Sequence, residues 1–192
     1  YYSGNGTNYI FFSGNEYGGD YFKKFNYRQF PGITAEQDNQ PLPVMNWGEG
    51  GLNGNAYAGG VSDSTYGACG MILNRRNLTA HKAWFYFDNE FVCLGSGIEQ
   101  NSGTAPVFTT INQSNAFGNA QYSVDGKVST VKTSASILNP EWILHGKIGY
   151  FNLDKNAGIE ISCDTNLFVA NINHGINPKN QSYAYIVKPG VQ

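Results

Sequence analysis

Short runs of aromatic and β-branched residues recur along this chain at intervals of about ten residues, and turn-forming residues separate them. From residue 66 onward these runs are typical of β-strands, because such side chains favour strands whereas Gly, Asn and Asp interrupt them. The pattern predicts strands over residues 67–73, 80–87, 90–98, 106–112, 120–124, 127–132, 141–144, 147–153, 158–163, 166–173 and 182–188. Two shorter strand-like pieces, residues 8–12 and 21–25, precede them. No long segment shows the apolar period of a helix, so the sequence predicts an all-β fold.

Two turns identify hairpins within this series. Asp88-Asn89 joins Lys82–Phe87 to Glu90–Leu94, and Asp125-Gly126 between two short strands is typical of a type I′ turn. Regularly spaced strands with such turns favour a large antiparallel β-sandwich. We therefore predict one domain of this kind over residues 1–192.

The composition supports this prediction. Of 192 residues, 24 are glycine, 13 are tyrosine and 12 are phenylalanine, and only 14% are charged, which favours strands and turns over helices. Residues 35–60 are rich in Gln, Asn, Pro and Gly and predict a long loop, which in a compact domain is usually functional or mobile. No apolar run approaches membrane-spanning length, and a net charge of −2 gives no indication of a nucleic-acid or membrane partner.

No catalytic or metal-binding set is recognisable in the sequence. The three histidines, His81, His145 and His174, lack the spacing of a zinc site, and the chain has neither a nucleophile elbow nor a P-loop. We therefore predict no metal and no cofactor. His174 lies in a predicted turn, Asn173–Pro178, and is expected to anchor loop backbone rather than to act in catalysis.

Basic residues are mostly scattered, with two local groups. The groups are Lys23, Lys24 and Arg28, and Arg75, Arg76 and Lys82. We expect both to be solvated charges on loops, because lysine and arginine are seldom buried without a partner.

The three cysteines leave two arrangements open. Cys69 and Cys93 are on predicted strands that flank one polar turn, which makes them candidates for a disulfide. In the alternative, these two and Cys163 are all reduced and act as small buried apolar residues.

Four Asn-x-Ser/Thr sequons indicate possible glycosylation, although only in a secreted eukaryotic protein. They begin at Asn5, Asn77, Asn112 and Asn180. Each is in or beside a predicted turn, where a glycan can project into solvent. Asn77 is the strongest candidate because it follows the polar residues between two strands.

The segment from Gly59 to Ile98 has a distinctive amino-acid sequence. Gly59-Gly-Val-Ser-Asp63 precedes Tyr66-Gly67, and the following hairpin is marked by Lys82, Trp84, Phe85, Phe87, Asp88, Glu90, Leu94, Gly95, Gly97 and Ile98. This segment resembles the central β-sandwich domain of the family 8 polysaccharide lyases, which include hyaluronate, chondroitin AC and xanthan lyases. Other matches follow in the family's order at Gly14–Tyr17, Phe30–Thr34, Thr109–Gln113, Ile148–Tyr150, Asn173–Pro178 and Tyr183–Val187. The resemblance sharpens the fold prediction to a supersandwich, which is galactose-mutarotase-like.

The resemblance implies a function that this chain performs only in part. Family 8 lyases cleave acidic polysaccharides by β-elimination, with Asn, His, Tyr and Arg residues of an α/α-toroid domain acting on the substrate. Nothing in the chain resembles that domain, so we expect the chain alone to be inactive. Because it starts at Tyr1 without Met, we expect a mature or excised fragment, or a part of something longer. The expected partners are an acidic polysaccharide and a toroid domain or chain, and the expected location is secreted and extracellular. The alternatives are a non-enzymatic glycan-binding or structural module, and an unrelated jelly-roll lectin.

In the family, loops of the sandwich form one wall of the substrate cleft. The corresponding candidates are Asn15, Glu16, Tyr17, Arg28, Thr34, Asn46, Trp47, Ser62 and Asp63. Trp47 fits a sugar site best, because a pyranose ring stacks on an aromatic platform. A structural role stays open for Glu16 and Tyr17, which could pack under the Pro31–Thr34 loop, and for Asp63, which could close a turn. The chain also departs from the family at Asn173, where aspartate is frequent.

Overall fold

Two antiparallel β-sheets face each other across one hydrophobic core in the computed structural model, which describes residues 2–42, 44 and 57–191. The strands are β1 Thr34–Glu36, β2 Ala58–Ser62, β3 Gly67–Arg75, β4 Leu78–Tyr86, β5 Phe91–Gln100, β6 Pro106–Asn115, β7 Gln121–Val124, β8 Lys127–Thr130, β9 Ser134–Leu138, β10 Trp142–His145, β11 Ile148–Asn152, β12 Gly158–Cys163, β13 Leu167–Ile176 and β14 Gln181–Pro189. The small sheet has the order β1-β6-β13-β12-β9, and the large sheet has the order β2-β3-β4-β5-β14-β11-β10-β7-β8. The all-β antiparallel sandwich predicted from the sequence is therefore confirmed.

Alternation of side chains explains how the two sheets share a core. On β12, Ile159, Ile161 and Cys163 are buried and point to the same side of the sheet, because successive side chains of a strand point to opposite faces. Trp84 on β4 is likewise in the core, as its place in an aromatic run predicts. Strand β6 differs, because every residue from Val107 to Ser114 is buried. It is covered on both faces, and this matters for the site described below.

The eleven strands predicted from residue 66 onward are all present, with ends shifted by up to three residues. Three further strands, β1, β2 and β9, were not predicted. Strand β2 contains Gly59-Gly60 and is exposed at every residue at the edge of the large sheet, so it lacks the alternation that marks a strand. Strands β1 and β2 also correct the prediction that residues 35–60 are loop throughout.

The two predicted strand-like pieces near the N-terminus are wrong. Residues 8–12 pair with no strand among the described residues. Tyr21–Lys24 form one turn of helix, α1, rather than a strand. The rings of Tyr21 and Phe25 stack at a centroid distance of 5.3 Å, a contact that a helical turn makes possible because residues four apart share a face. No described helix has the length and apolarity needed to cross a membrane.

Both predicted hairpin turns are present. Phe87 N–H donates to the carbonyl of Glu90 at 2.9 Å and closes the connection between β4 and β5. Asp125 and Gly126 have φ angles of +49° and +70°, and two positive φ angles in succession are the signature of a type I′ turn.

The predicted disulfide between Cys69 and Cys93 is wrong, because a strand separates the two residues. Cys69 on β3 pairs with Trp84 on β4, and Trp84 pairs with Cys93 on β5. Two strand spacings place these Cα atoms about 10 Å apart, beyond the reach of a disulfide. Cys69, Cys93 and Cys163 are all free thiols, as in the alternative, but only Cys93 and Cys163 are buried, whereas Cys69 is half-buried.

The turn at Gly32 generates a prediction about stability. Gly32 has a φ of +85°, and a Cβ there would lie 1.4 Å from Asn8 Oδ1 and 2.8 Å from the Gly6 carbonyl oxygen. We expect Gly32→Ala to lower the free energy of unfolding by about 3 kcal/mol or more, because both the backbone angle and the packing oppose a side chain. Urea denaturation measures this change. The control is Gly158→Ala, where a Cβ meets open space; equal losses in the two variants would contradict the prediction.

Candidate functional site

The residues from Asn5 to Thr34, here called the N-terminal segment, follow the edge of β6 beyond β1. Gly32 N–H donates to the Thr110 carbonyl at 2.7 Å, and Asn115 N–H donates to the Glu16 carbonyl at 2.8 Å. The segment also reaches the large sheet, where Asn8 Nδ2 contacts Cys93 Sγ at 3.7 Å. It therefore lies along both sheets and covers one face of β6. Five of the predicted site residues are part of this segment: Asn15, Glu16, Tyr17, Arg28 and Thr34.

Glu16 closes its own loop rather than facing solvent. Its carboxylate accepts hydrogen bonds from the backbone N–H groups of Phe12 at 3.1 Å, Ser13 at 2.6 Å and Gly14 at 2.9 Å. Burial acts to raise the pKa of Glu16, but these backbone hydrogen bonds act to lower it and prevail, so the pKa is below its ordinary value. The ionised carboxylate therefore stabilises the loop that presents the exposed Asn15.

Tyr17 links the N-terminal segment to the core. Its hydroxyl accepts from Ile10 N–H at 3.0 Å and donates to Asn112 Oδ1 at 2.9 Å. Asn112 Nδ2 in turn donates to the hydroxyl of Tyr150 at 2.6 Å, on the large sheet. Burial is the main cause that raises the pKa of Tyr17 above its ordinary value. Tyr17 thus holds the two sheets and the segment together, and it is 6% exposed.

Arg28 and Thr34 are also engaged inside the protein. Arg28 donates to Asp38 Oδ1 from Nε at 2.9 Å and from Nη2 at 2.6 Å, and its guanidinium lies over the ring of Tyr2. Thr34 is fully buried, with its Oγ1 at 2.9 Å from Thr109 Oγ1. The prediction that Arg28 is a solvated loop charge is therefore wrong.

Lys82 also differs from the prediction of a solvated charge. It is 2% exposed, and its Nζ donates to backbone and side-chain oxygens of the N-terminal segment. It is on the inner face of β4, where the alternation of the strand places it beside Trp84.

Ser62 and Asp63 are exposed at the edge of the large sheet. Asp63 Oδ1 accepts from the N–H groups of Thr65 at 2.9 Å and Tyr66 at 2.7 Å, the turn-closing role left open by the sequence. These hydrogen bonds lower the pKa of Asp63. Both residues are at the end of β2, the edge strand of the large sheet, whereas the loop of Asn15 contacts β6 of the small sheet. The first pair is therefore at the edge of the large sheet and the Asn15 loop lies against the small sheet, and Asn46 and Trp47 lie outside the described residues.

The sequence analysis missed a set of exposed aromatic rings on the N-terminal segment. The set, here called the aromatic face, consists of Tyr9, Phe11, Phe12, Phe22 and Tyr27, which are 38–61% exposed. The rings pack edge to face on one another and on buried neighbours; Phe11 and Tyr17, for example, are 5.1 Å apart. The signal was nine aromatic residues between positions 9 and 30, more than one short strand can bury.

The exposed Asn15, Lys23 and Lys24 accompany the aromatic face. Lys24 Nζ donates to Asn166 Oδ1 at 2.9 Å, and Asn115 Nδ2 donates to the Asn15 carbonyl at 2.9 Å. Amide groups and ammonium groups therefore border the rings at this end of the sandwich.

Residues that could hold a metal are not grouped in the part of the chain that the structure describes. His145 is buried and accepts from Phe117 N–H at 3.0 Å, and burial lowers its pKa to about 4. His174 is on strand β13 and contacts a side chain, Thr109 Oγ1, at 2.9 Å, which corrects the expectation of a backbone anchor in a turn. Nearby, Asn173 donates from Nδ2 to Glu160 Oε1 at 2.6 Å.

The described fold defines a class of protein: an all-β domain of two stacked antiparallel sheets, with a long N-terminal segment packed along one strand. Residues 1–166 match the sequence pattern of the family described as "polysaccharide lyase family 8, super-sandwich domain". The chain is a member of this family.

Individual relatives agree with this assignment. Chondroitinase-AC of Pedobacter heparinus is 38% identical over 188 aligned positions, which cover 85% of this chain and 26% of that enzyme. A hyaluronate lyase of Thermasporomyces composti is 29% identical over 195 positions, which cover 84% of this chain and 24% of that enzyme. The chain spans about a quarter of the length of these two relatives.

Solved structures show the same fold. The structure of chondroitinase AC lyase from a study of its oligosaccharide complexes has a TM-score of 0.74 at 34% identity, over 85% of this chain and 27% of that chain. A xanthan lyase from Paenibacillus has a TM-score of 0.82 over 99% of this chain and 21% of that chain, and at 24% identity it shows the fold alone.

Two of the four sequon asparagines are inaccessible, contrary to the expectation that all are at turns. Asn112 is fully buried on β6, and Asn5 is 2% exposed and donates to the Thr34 carbonyl at 2.9 Å. Asn77 and Asn180 are exposed. A glycan on either buried asparagine would displace the hydrogen bonds that the side chain makes.

Glycosylation should therefore be selective. In folded material secreted by a eukaryotic cell, we expect N-glycan on Asn77 and Asn180 and none on Asn5 or Asn112. Glycosidase treatment in heavy-oxygen water followed by peptide mapping reports each occupied asparagine as labelled aspartate. Label at Asn112 would show that the burial of β6 described here is wrong.

Glu16 gives a second prediction, with a defined pH dependence. Its pKa is lowered in the folded chain, so its stabilising contribution is present above the ordinary value of 4.5 and is lost as pH falls. We expect Glu16→Gln to cost about 1–2 kcal/mol in the free energy of unfolding at pH 7 and progressively less as pH falls below 4.5, measured by urea denaturation. The control is Glu99→Gln, which removes an exposed pair with Lys179 and should change little at either pH. If Glu16→Gln costs as much stability at pH 3 as at pH 7, the role assigned to the Glu16 carboxylate is wrong.

Proposed function

We propose that this chain is the β-sandwich part of a secreted polysaccharide lyase, and that it binds acidic polysaccharide as one wall of the substrate cleft. Membership of the family carries this proposal, together with relatives named for chondroitin, hyaluronate and xanthan. In this proposal the β-elimination chemistry belongs to a helical domain outside these residues. The chain, at about a quarter of the length of its relatives, supplies binding and support.

The aromatic face is the part of the described surface that fits a sugar chain best. A pyranose ring has an apolar face that stacks on aromatic rings and a polar rim that amides can bind. Phe11 and Phe22 offer such rings at 61% and 54% exposure. Asn15 offers an exposed amide, and Lys24 offers positive charge for the carboxylate or sulfate of an acidic polysaccharide, whereas Lys23 is paired with Asp20 at 2.8 Å.

The other predicted residues divide into two roles. Glu16, Tyr17, Arg28 and Thr34 hold the N-terminal segment in place and would act on the polysaccharide only through it. Ser62 and Asp63 are exposed, and with Asn46 and Trp47 they are proposed to form a separate contact further along the sugar chain.

Binding can be measured with chondroitin sulfate and hyaluronan immobilised on a sensor surface. We expect Phe11→Ala to weaken binding about tenfold, because stacking of one ring contributes roughly 1–2 kcal/mol. The control is Val128→Ala, which removes an apolar side chain of similar exposure (59%) on β8, at the edge of the large sheet opposite β2, and should leave binding unchanged. Equal effects of the two substitutions would refute the role of the aromatic face.

A lyase assay on the same samples separates the two functional classes. We expect no rise in ultraviolet absorbance from unsaturated uronate when the chain alone is incubated with these polysaccharides. A sustained rise would show that the chain carries its own catalytic groups. Absence of binding to every acidic polysaccharide tested would favour the alternative, a structural extracellular module.

A further inference from the structure

Lys82 places an ammonium group inside the sandwich, on the inner face of β4. Its Nζ donates to the Asn5 carbonyl at 3.0 Å, to the Gly32 carbonyl and to Thr34 Oγ1 at 3.2 Å. Three hydrogens thus meet three neutral acceptors. Both carbonyls belong to the N-terminal segment, one near each end of it. A single side chain of the large sheet therefore binds two points of the segment that are far apart in the sequence.

No charged group of opposite sign compensates this ammonium among the described residues. The titratable groups around it are Cys93 from β5, His174 from β13, and Tyr183 and Tyr185 from β14. Burial raises the pKa of Cys93 to about 12 and raises the pKa of both tyrosines, so all three are neutral near pH 7. The strands β1 and β6 contribute only threonine hydroxyls.

The contacts of Lys82 continue as a chain of hydrogen bonds to the opposite side of the core. Thr34 Oγ1 lies 2.9 Å from Thr109 Oγ1, and Thr109 Oγ1 lies 2.9 Å from His174 Nε2. Lys82, Thr34, Thr109 and His174, here called the proton chain, therefore connect β4 of the large sheet to β13 of the small sheet. Three hydrogen bonds, here called links, join these four polar groups.

Counting hydrogens shows which protonation states this geometry accepts. With Lys82 charged and His174 Nε2 unprotonated, Lys82, Thr34 and Thr109 each donate one hydrogen, which fills three links. With Lys82 neutral, the chain runs in reverse: Nε2–H of His174 donates first, and the lone pair of Lys82 accepts last. When both ends are protonated, four hydrogens compete for three links, and one buried hydroxyl is left without an acceptor.

We propose that the proton chain is a pH-sensitive clasp, which holds the N-terminal segment between the sheets while either the Lys82 ammonium or His174 Nε2, but not both, is protonated, and loosens the segment when both are protonated. The clasp is independent of what the aromatic face binds. Its action on the segment follows from the carbonyls of Asn5 and Gly32, which lose their partner if Lys82 withdraws toward water.

The pKa shifts of Lys82 and His174, the two ends of the proton chain, set how the stability of the closed clasp changes with pH. Burial, followed by the charge of Lys82, lowers the pKa of His174 to about 4, against 6.5 in an unfolded chain. Burial lowers the pKa of Lys82 from 10.5 to about 7. Both groups bind protons more readily when released, so the closed clasp loses stability as pH falls from 10.5 to about 7 and again from 6.5 to about 4.

The coupling between the two ends can be tested by nuclear magnetic resonance of the His174 imidazole. In the Lys82→Met variant we expect the pKa of His174 to rise by about 1 unit, because the nearby positive charge is gone. Lys127→Met, which removes an exposed lysine at the β7–β8 turn, is the control and should leave it unchanged. An unchanged pKa of His174 in Lys82→Met would show that the two ends of the proton chain are not coupled and would refute the proposal.

Amide hydrogen exchange tests the mechanical consequence. Between pH 7 and pH 4.5 we expect the protection factor of the Gly32 amide to fall about tenfold in the unsubstituted chain and in Lys127→Met. In Lys82→Met the fall should be smaller than in the unsubstituted chain, because loss of the charge brings the pKa of His174 closer to its unfolded value, while its burial remains. If Lys82→Met does not fold, Thr109→Val interrupts the chain while leaving the three acceptors of Lys82 intact, and it should reduce the same pH dependence. A tenfold fall in the interrupted variant would overturn the proposal.

Discussion

The buried polar side chains of β6 are the constraint on which the rest of this structure depends. They are Thr109, Thr110, Asn112, Gln113 and Ser114, none of them more than 2% exposed. Buried polar groups are costly unless they are hydrogen-bonded, so each requires a partner close by. Asn26 and Gln29 bind Gln113, Tyr17 binds Asn112, and β13 binds the threonines. The N-terminal segment must therefore follow β6 closely, and its turns are shaped by that path.

Most strands with one buried and one exposed face were predictable, although β9, which also alternates, was missed. β12 shows why: Ile159 and Ile161 alternate with polar neighbours, and its predicted ends are those observed. β2 shows the limit, because an edge strand containing Gly59-Gly60 has no alternation to detect, and pairing with β3 alone defines it. Tyr21–Lys24 was misassigned because aromatic residues favour strands, whereas ring stacking and packing against the segment decide for a helical turn.

The site was less predictable than the fold, since polar residues reveal their type but not their surroundings. Glu16 and Tyr17 were predicted as candidates for the substrate site, and their observed contacts are with the segment itself and with β6. The sequence predicts Asn112 to be a glycosylation site and Lys82 to be a solvated loop charge, because no local pattern indicates that both side chains are buried in the core. The exposed rings of the aromatic face were missed for the opposite reason, since an apolar run is ordinarily interpreted as buried.

The hydrogen bond from Asn173 to Glu160 has an evolutionary consequence. An amide at position 173 can donate to the carboxylate, whereas an aspartate there would place two carboxylates in contact and force one of them to hold a proton. Glu160 pairs with Asn171, so the contact with Asn173 is diagonal across adjacent strands, and the two positions should change together among family members. Relatives with aspartate at the position of Asn173 are expected to carry a neutral or basic residue at the position of Glu160, so this pair can serve as a marker when distant sequences are aligned.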